Sequence, residues 1–170
     1  ERYMGAIYAF LEHESKLYDI GNVGNYGLEG VQVYLEDMNF DGKKEVVISG
    51  GMGSNYVGFT VLEYNEENQE WMNILTTANI QSVDLDYNGQ EELVSISYGS
   101  LPGRVELYRW NEDKFEKVNI AEATGSNYAY FHNDEGKWVF ESGKFENGNT
   151  SEARFYRYES GKLIELDSMY

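Results

Sequence analysis

The sequence contains no cysteine, and Pro102 is the single proline in its 170 residues. Without cysteine the chain has neither a disulfide framework nor thiolate metal ligands. Basic residues are also scarce, because 13 Lys and Arg stand against 30 Asp and Glu, for a formal net charge of -17 at pH 7. This surplus of negative charge repels phosphate backbones and anionic lipid and attracts cations, so we expect no nucleic-acid partner.

Long apolar runs are missing as well. No run approaches the roughly 20 apolar residues that a membrane-spanning helix needs, so we expect no transmembrane segment in this chain. The chain starts at Glu1 without the basic and apolar regions of an export signal. A product trimmed of its signal starts in the same way, so a lipid-anchored precursor is compatible with this sequence.

Aromatic residues are plentiful, with 15 Tyr, 8 Phe and 3 Trp, and they favour half-buried pleated surfaces. The first segment nevertheless has apolar residues at helical spacings, and it predicts one amphipathic helix over 1–20. A run of glycines and asparagines over 21–30 then predicts a connecting loop. The apolar stripe of the helix comprises Tyr3, Met4, Ile7, Tyr8, Phe10, Leu11 and Leu17.

From residue 31 onward the apolar period changes to two, and short strands alternate with turn signals. Turn glycines at Gly42, Gly89 and Gly136 are each 47 residues apart. Each is followed by a second hairpin, centred near Glu67, Glu112 and Ser160 in turn. We therefore expect a mainly β single domain over 1–170 with three repeated four-stranded antiparallel units, at 31–76, 78–120 and 126–166, the third degenerate at its first turn.

Four-stranded sheets that repeat at this period are typical of propeller blades. Three blades are fewer than the four to eight that normally close a ring. Two architectures follow: an open or partial propeller-like arc, or a β-sandwich, in either case with the N-terminal helix covering an exposed edge. The third possibility is that the chain is part of a larger assembly.

Oxygen-bearing side chains recur at alternate positions in two loops, 37–45 and 84–92. The first reads D-x-N-x-D-G-x-x-E and the second D-x-D-x-N-G-x-x-E. Calcium takes six to eight hard oxygen ligands, and a tightly curled loop of this kind points several of them at one centre. Glycine at the sixth position tolerates the positive φ of a sharp turn. An ordinary metal-free Asx turn and a magnesium site are the weaker interpretations.

The loops differ from an EF-hand, which needs a bidentate Glu at position twelve and flanking helices. Position twelve is Ile48 in the first loop and Ser95 in the second, and strand-forming residues follow position nine in both. In the third unit the corresponding positions hold Phe131, Asn133, Glu135, Gly136 and Val139, so we expect no metal there.

The segment VYLEDMNFDGKKEVVISGG has the strand, loop and strand order of the FG-GAP and VCBS repeats, which both loops resemble. These repeats occur in integrin-α-type propellers and in many bacterial secreted proteins and lipoproteins. The resemblance implies that positions one, three, five and nine and the carbonyl of position seven hold two calcium ions. Carried over, the ligands are Asp37, Asn39, Asp41, Lys43 and Glu45 in one loop and Asp84, Asp86, Asn88, Gln90 and Glu92 in the other.

No catalytic constellation stands out. His13 and His132 are isolated, and two lone histidines are more often surface or capping residues than a catalytic pair. Aromatics that flank the hairpins more often pair across strands than form a sugar-binding face. The aromatic candidates for such a face are Trp71, Trp110, Trp138, Tyr128, Tyr130, Tyr156 and Tyr158.

Together these features predict a non-catalytic, calcium-binding β-repeat module that lies outside the cell or in the cell envelope and binds a protein or a surface. Outside the cell, millimolar calcium can fill sites of about 10⁻⁴ to 10⁻³ M affinity. One alternative is a carbohydrate-binding module with structural calcium, whose partner is a glycan. Another is an accessory domain of a secreted hydrolase, or a hydrolase itself that uses paired carboxylates.

Overall fold

The computed structural model describes residues 5–97, 102–134 and 136–167, and within them the protein is mainly β. The strands form four antiparallel sheets, one two-stranded and three four-stranded. The chain divides into two compact units, Glu1–Asn79 and Ile80–Tyr170, each with its own hydrophobic core. In the described part of the chain, no helix has the length and apolar character needed to cross a membrane.

The first unit begins with a hairpin of two strands, β1 (Ile7–His13) and β2 (Lys16–Gly24). The predicted helix over 1–20 is therefore wrong, and its residues Tyr3 and Met4 lie outside the described part. Exposure alternates along β1, with Ile7, Ala9 and Leu11 turned to the core and the residues between them exposed. Exposed Tyr8 and Phe10 hid this period of two, because apolar residues on both faces also satisfy a helical spacing.

A four-stranded sheet completes the first unit. Its strands are β3 (Val31–Glu36), β4 (Glu45–Gly53), β5 (Tyr56–Asn65) and β6 (Glu70–Ala78), which pair in chain order after a short 3-10 turn at Leu28–Gly30. The hairpin packs on this sheet through Val23, which joins Ile48 and Leu62 in the core. The hairpin thus packs over the central strands β4 and β5, whereas the prediction placed a helix over an exposed edge.

The second unit contains two four-stranded sheets. The first is formed by β7 (Ile80–Val83), β8 (Glu92–Ser97), β9 (Arg104–Asn111) and β10 (Lys114–Asn119). One helical turn, α1 (Ile120–Ala123), follows, and the Asn119 side chain caps it by accepting the Glu122 N–H. The last sheet consists of β11 (Tyr128–Asp134), β12 (Lys137–Glu146), β13 (Asn149–Glu159) and β14 (Lys162–Leu166).

One core joins the two sheets of the second unit. Val94 and Leu107 from the first sheet pack with Phe131, Phe140 and Tyr156 from the last sheet, and buried Ile120 of α1 closes the cluster. Phe131 stacks on Phe140, with ring centroids 4.9 Å apart. Phe131 and Val139, which the third unit has in place of metal-binding residues, are thus core residues, 7% and 0% exposed.

The prediction of three four-stranded antiparallel units is confirmed. Each unit pairs its strands in chain order, and each second hairpin turns where the sequence indicates. The flanking residues are direct partners across the strands: Tyr64 with Trp71, Trp110 with Phe115, and Tyr158 with Leu163. The cross-strand interpretation of these aromatics is therefore confirmed as well.

Candidate metal centres

The two acidic loops occupy equivalent places, between the first and second strands of their sheets. Loop 37–45 connects β3 to β4, and loop 84–92 connects β7 to β8. Both have positive φ at the fourth position, 61° at Phe40 and 58° at Tyr87. Both have it again at the sixth, 88° at Gly42 and 89° at Gly89. The loops therefore have the same curled backbone, as their shared spacing predicts.

In the first loop the acidic side chains fold inward onto backbone N–H groups. Asp37 accepts the N–H of Asp41 at 3.2 Å and that of Gly42 at 3.0 Å, one on each carboxylate oxygen. Asp41 accepts the Lys43 N–H at 2.8 Å, and Glu45 accepts the Met38 N–H at 2.7 Å. The first and ninth residues thus hold the loop together from both ends.

The second loop repeats this pattern position by position. Asp84 accepts from Asn88 at 3.0 Å and from Gly89 at 2.9 Å. Asn88 accepts the Gln90 N–H at 2.7 Å, and Glu92 accepts the Leu85 N–H at 3.1 Å. Two segments with different residues at positions three and five therefore adopt one hydrogen-bonding scheme.

The ninth-position carboxylates are buried. Glu45 is 2% exposed and Glu92 is 5% exposed. Among the described residues, no Lys or Arg lies within ion-pair distance of either one. A buried carboxylate without a cation is costly, so each loop contains a negative charge that a bound cation would compensate.

Burial and neighbouring charge raise the pKa of both groups. Burial raises the pKa of Glu92 to about 7, and repulsion from Asp86 and Asp84 adds to it, against the Leu85 N–H and the Arg109 charge. Burial also raises the pKa of Glu45, the more so because Asp41 and Asp37 are close. The upward shifts come mainly from burial, and repulsion between the carboxylates of each loop is a smaller cause.

In both loops the side chain at the third position has a buried polar atom without a hydrogen-bond partner. Asp86 has one buried oxygen, Oδ1, without a hydrogen-bond partner, while its Oδ2 accepts the Ser160 N–H at 2.9 Å. Asn39 is 2% exposed, its Oδ1 accepts the Asp41 N–H, and its Nδ2 is unpartnered. An orphaned buried carboxylate oxygen is an available ligand for a hard cation, so the residues of the second loop fit calcium.

The carboxylates of each loop, by contrast, do not all point to one centre. Within the ranges that the structure describes, no three His, Asp or Glu side chains form a ready-made metal cluster. The predicted ligands Asp37 and Asp84 instead satisfy backbone donors of their own loops. The side chains of Lys43 and Gln90, whose carbonyls are the predicted seventh-position ligands, are exposed.

The second loop also contacts the last sheet of its unit, which spacing along the chain did not indicate. Besides the bond from Ser160 to Asp86, the Tyr87 hydroxyl donates to the Gly136 carbonyl at 2.6 Å. Tyr87 and Asp86 also border a cleft of about 290 Å³ with Trp138 and Tyr158. These contacts join residues 49 and 74 positions apart, so no local sequence signal could predict them.

The remaining candidate residues have packing partners. His13 lies edge-on to Tyr64, with ring centroids 4.9 Å apart, and His132 is 3.0 Å from a Glu141 oxygen. Trp138 stacks on Phe131 at 4.9 Å. Tyr128 is fully buried and its hydroxyl donates to Glu141 at 2.9 Å. Glu135 of the third unit lies outside the described residues.

Comparisons with known proteins add no relatives: no family profile, no curated protein and no solved structure matches the chain at a significant level. The resemblance of the loops to FG-GAP and VCBS repeats therefore stays a prediction.

Proposed function

We propose that this chain is a calcium-binding, non-catalytic β-repeat module that works outside the cell or in the cell envelope and binds a protein or a surface. The observation that supports it is the burial of Glu45 and Glu92 at equivalent ends of two identically folded acidic loops. The two loops share one conformation, and each has a buried carboxylate. Binding of the same cation in both loops would explain both features.

Calcium suits the donor chemistry best. All of the side-chain candidates are carboxylates or amides, and the chain has no thiol. In the first loop Asp37, Asn39, Asp41 and Glu45 would hold the ion with the Lys43 carbonyl. In the second loop the ligands would be Asp84, Asp86, Asn88 and Glu92 with the Gln90 carbonyl.

Burial is the main cause of the raised pKa of Glu45 and Glu92, and repulsion among the three carboxylates of each loop adds to it. One divalent cation would offset both the buried charge and the repulsion. The backbone N–H groups around Asp37 and Asp84 already orient the first-position carboxylates. The side chains at these sites supply oxygen ligands, which agrees with a binding role.

The four-stranded sheets support a propeller-like arrangement in which each sheet acts as a blade and each loop joins its first two strands. In such modules the strands form a rigid scaffold while loops contact partners. The surplus of negative charge favours a partner with a basic surface.

Isothermal titration calorimetry with calcium tests the proposal. We expect two equivalents for the wild-type chain and one for each of Asp37→Ala and Asp84→Ala, because each variant loses the first-position ligand of a single loop. We expect Kd values of about 10⁻⁴ to 10⁻³ M, as for extracellular calcium modules.

Asp113→Ala is the matched control, since Asp113 is exposed in the β9–β10 turn and belongs to neither loop. It should retain both equivalents. No heat of binding in the wild-type chain at several millimolar calcium, or two equivalents in both loop variants, would contradict the proposal.

A further inference from the structure

The two acidic loops have the same conformation but different surroundings. Among the residues that the structure describes, the side chains of loop 37–45 form hydrogen bonds only with the backbone of their own loop. The ion pair that Lys43 forms with Glu66, outside the loop, is 3.9 Å long and exposed, so it restrains the loop weakly. Loop 84–92, by contrast, contacts two turns of the last sheet.

The first of these contacts is formed by Tyr87, at the fourth position of loop 84–92. Its hydroxyl donates to the carbonyl of Gly136, in the β11–β12 turn, at 2.6 Å. The fourth position of loop 37–45 is Phe40, which has a similar left-handed φ, 61° against 58°, but no hydroxyl. The two loops therefore differ at this position by one oxygen atom, and that oxygen joins the second loop to another sheet.

The second contact is formed by Asp86, the third-position ligand in the proposed calcium site. Because Glu159 pairs with Lys162, Ser160 and Gly161 form a two-residue turn between β13 and β14. The Ser160 N–H is not used in this strand pairing and donates instead to Asp86 Oδ2, at 2.9 Å. Asp86 Oδ1 is buried without a partner. The carboxylate is thus oriented through one oxygen, and the other is available to a cation.

The last sheet has core residues at positions where the other two units have acidic ligands. Phe131 and Val139 occupy two of these positions and are buried. Both turns at this end of the sheet, at Gly136 and at Ser160, contact loop 84–92. An ordered second loop therefore supports its own sheet and the last sheet together.

We propose that the last sheet is a structural part of the second calcium site. Its two turns position Asp86 and Tyr87, and an ion bound in loop 84–92 in turn fixes the β13–β14 turn. Tyr87 acts as a positioning residue, since its hydroxyl contacts the sheet. This inference rests on the proposed calcium binding. The effect runs in both directions because coupling between two sites is reciprocal: a contact that strengthens ion binding is itself strengthened by the ion.

Exchange of single amides with water, measured by NMR on the full chain, tests the coupling. The Ser160 N–H should exchange at least about fivefold more slowly in about 10 mM calcium than in EGTA, because the ion fixes the carboxylate that accepts it. Asp84→Ala should abolish this effect, and Asp37→Ala should preserve it. Asn147 provides the matched amide, since it begins a two-residue turn with a similar φ at the opposite end of the same sheet. Its exchange should not respond to calcium.

Calorimetry tests the positioning role of Tyr87. In the Asp37→Ala chain, where only the second loop remains, adding Tyr87→Phe should weaken calcium binding at least about threefold. Tyr8→Phe is the matched control, because Tyr8 is 62% exposed against 63% for Tyr87 and lies in β1. It should bind calcium as its parent chain does. In the Asp84→Ala chain, Tyr87→Phe should leave the Kd of the first loop unchanged, which separates lost positioning from lost folding.

The possible outcomes distinguish this inference from the proposed function. Two equivalents of calcium with unchanged exchange at Ser160, or with equal Kd values for Tyr87→Phe and its parent, would overturn the inference and leave calcium binding in place. Faster exchange at Ser160 in calcium would also overturn it, because the ion would then take both oxygens of Asp86 and release the turn. An absence of calcium binding in the wild-type chain would overturn both.

Discussion

Glu106 on β9 illustrates how single residues manage the negative charge of this chain. Its side chain is 13% exposed and is surrounded by three donors. Tyr108 donates to it at 2.7 Å, Arg104 at 2.6 Å and Lys117 at 3.3 Å. Burial alone would raise the pKa of Glu106, but these hydrogen bonds and charges outweigh it, and its pKa lies below the usual value. The ionised form is therefore stabilised by folding.

This depressed pKa makes the contribution of Glu106 depend on pH. The contribution is fully present above the unfolded pKa of about 4.3 and is lost as pH falls through the lower folded pKa. We expect Glu106→Gln to lower the free energy of unfolding by about 1.5–3 kcal/mol at pH 7, the usual range for hydrogen bonds to charged groups. Urea denaturation at pH 7 and at stepwise lower pH measures the difference, which should shrink as acid protonates the wild-type carboxylate.

Glu67→Gln is a suitable control, because Glu67 is exposed in the β5–β6 turn. It should change stability by less than about 0.5 kcal/mol at each pH. A constant difference between Glu106→Gln and wild type from neutral to acid pH would show that Glu106 contributes through packing alone.

At the scale of elements, the hairpin β1–β2 shows why one element was mispredicted. Its turn uses Glu14 and Ser15 at φ 49° and 66°, and neither residue is among the usual signals of a tight two-residue turn. With apolar residues on both faces and no recognisable turn, helix and hairpin patterns coincide. Packing on the adjacent sheet through Val23 decides between them.

The packing of this hairpin on β4 leaves no room at Gly50. A Cβ there would collide with the carbonyl oxygen of Val23. We expect Gly50→Ala to destabilise the first unit by about 1–3 kcal/mol, as overpacking substitutions do, because both colliding groups are backbone-fixed. The urea unfolding midpoint, followed by tryptophan fluorescence, measures the loss.

Gly30→Ala is the matched substitution, since a Cβ at Gly30 would meet nothing within 4 Å. It should leave stability within about 0.5 kcal/mol of wild type. Equal destabilisation by the two substitutions would mean that the hairpin does not pack closely against β4 at Gly50.

For the whole molecule, the division into two units predicts that stabilisation by the proposed calcium sites is local. Each unit has its own core and one acidic loop. At about 10 mM calcium and a Kd of about 10⁻⁴ to 10⁻³ M, the proposed binding would add about 1.4–2.7 kcal/mol per site to the free energy of unfolding. Hydrogen exchange with mass spectrometry should therefore show slower exchange in β4 of the first unit and β8 of the second when calcium replaces EGTA.

In Asp37→Ala the added protection should disappear from β4 and persist in β8, and Asp84→Ala should do the reverse. Magnesium at the same concentration should protect neither strand fully, because it keeps its waters and demands an octahedral shell. Loss of protection in both strands from either single variant would show that the two loops do not act locally.

The sequence alone determined the acidic loops, their positions in the repeat and the strands that flank them. Those features depend on short spacings: oxygens at alternate positions, a glycine at position six and a period of two in the strands. The cross-strand partners of Trp71 and Trp110 followed from the same spacing, because a tight turn sets the register of its hairpin.

Only the tertiary structure decided that 7–24 is a hairpin, that Glu45 and Glu92 are buried, and that the second acidic loop contacts Gly136 and Ser160. Each of these depends on segments that are distant along the chain. Burial and electrostatic pairing are properties of the packed molecule, since the same acidic residue is stabilised by solvent on a surface and destabilised in a core. Local pattern sets which groups are present, and packing sets which of them remain without a partner.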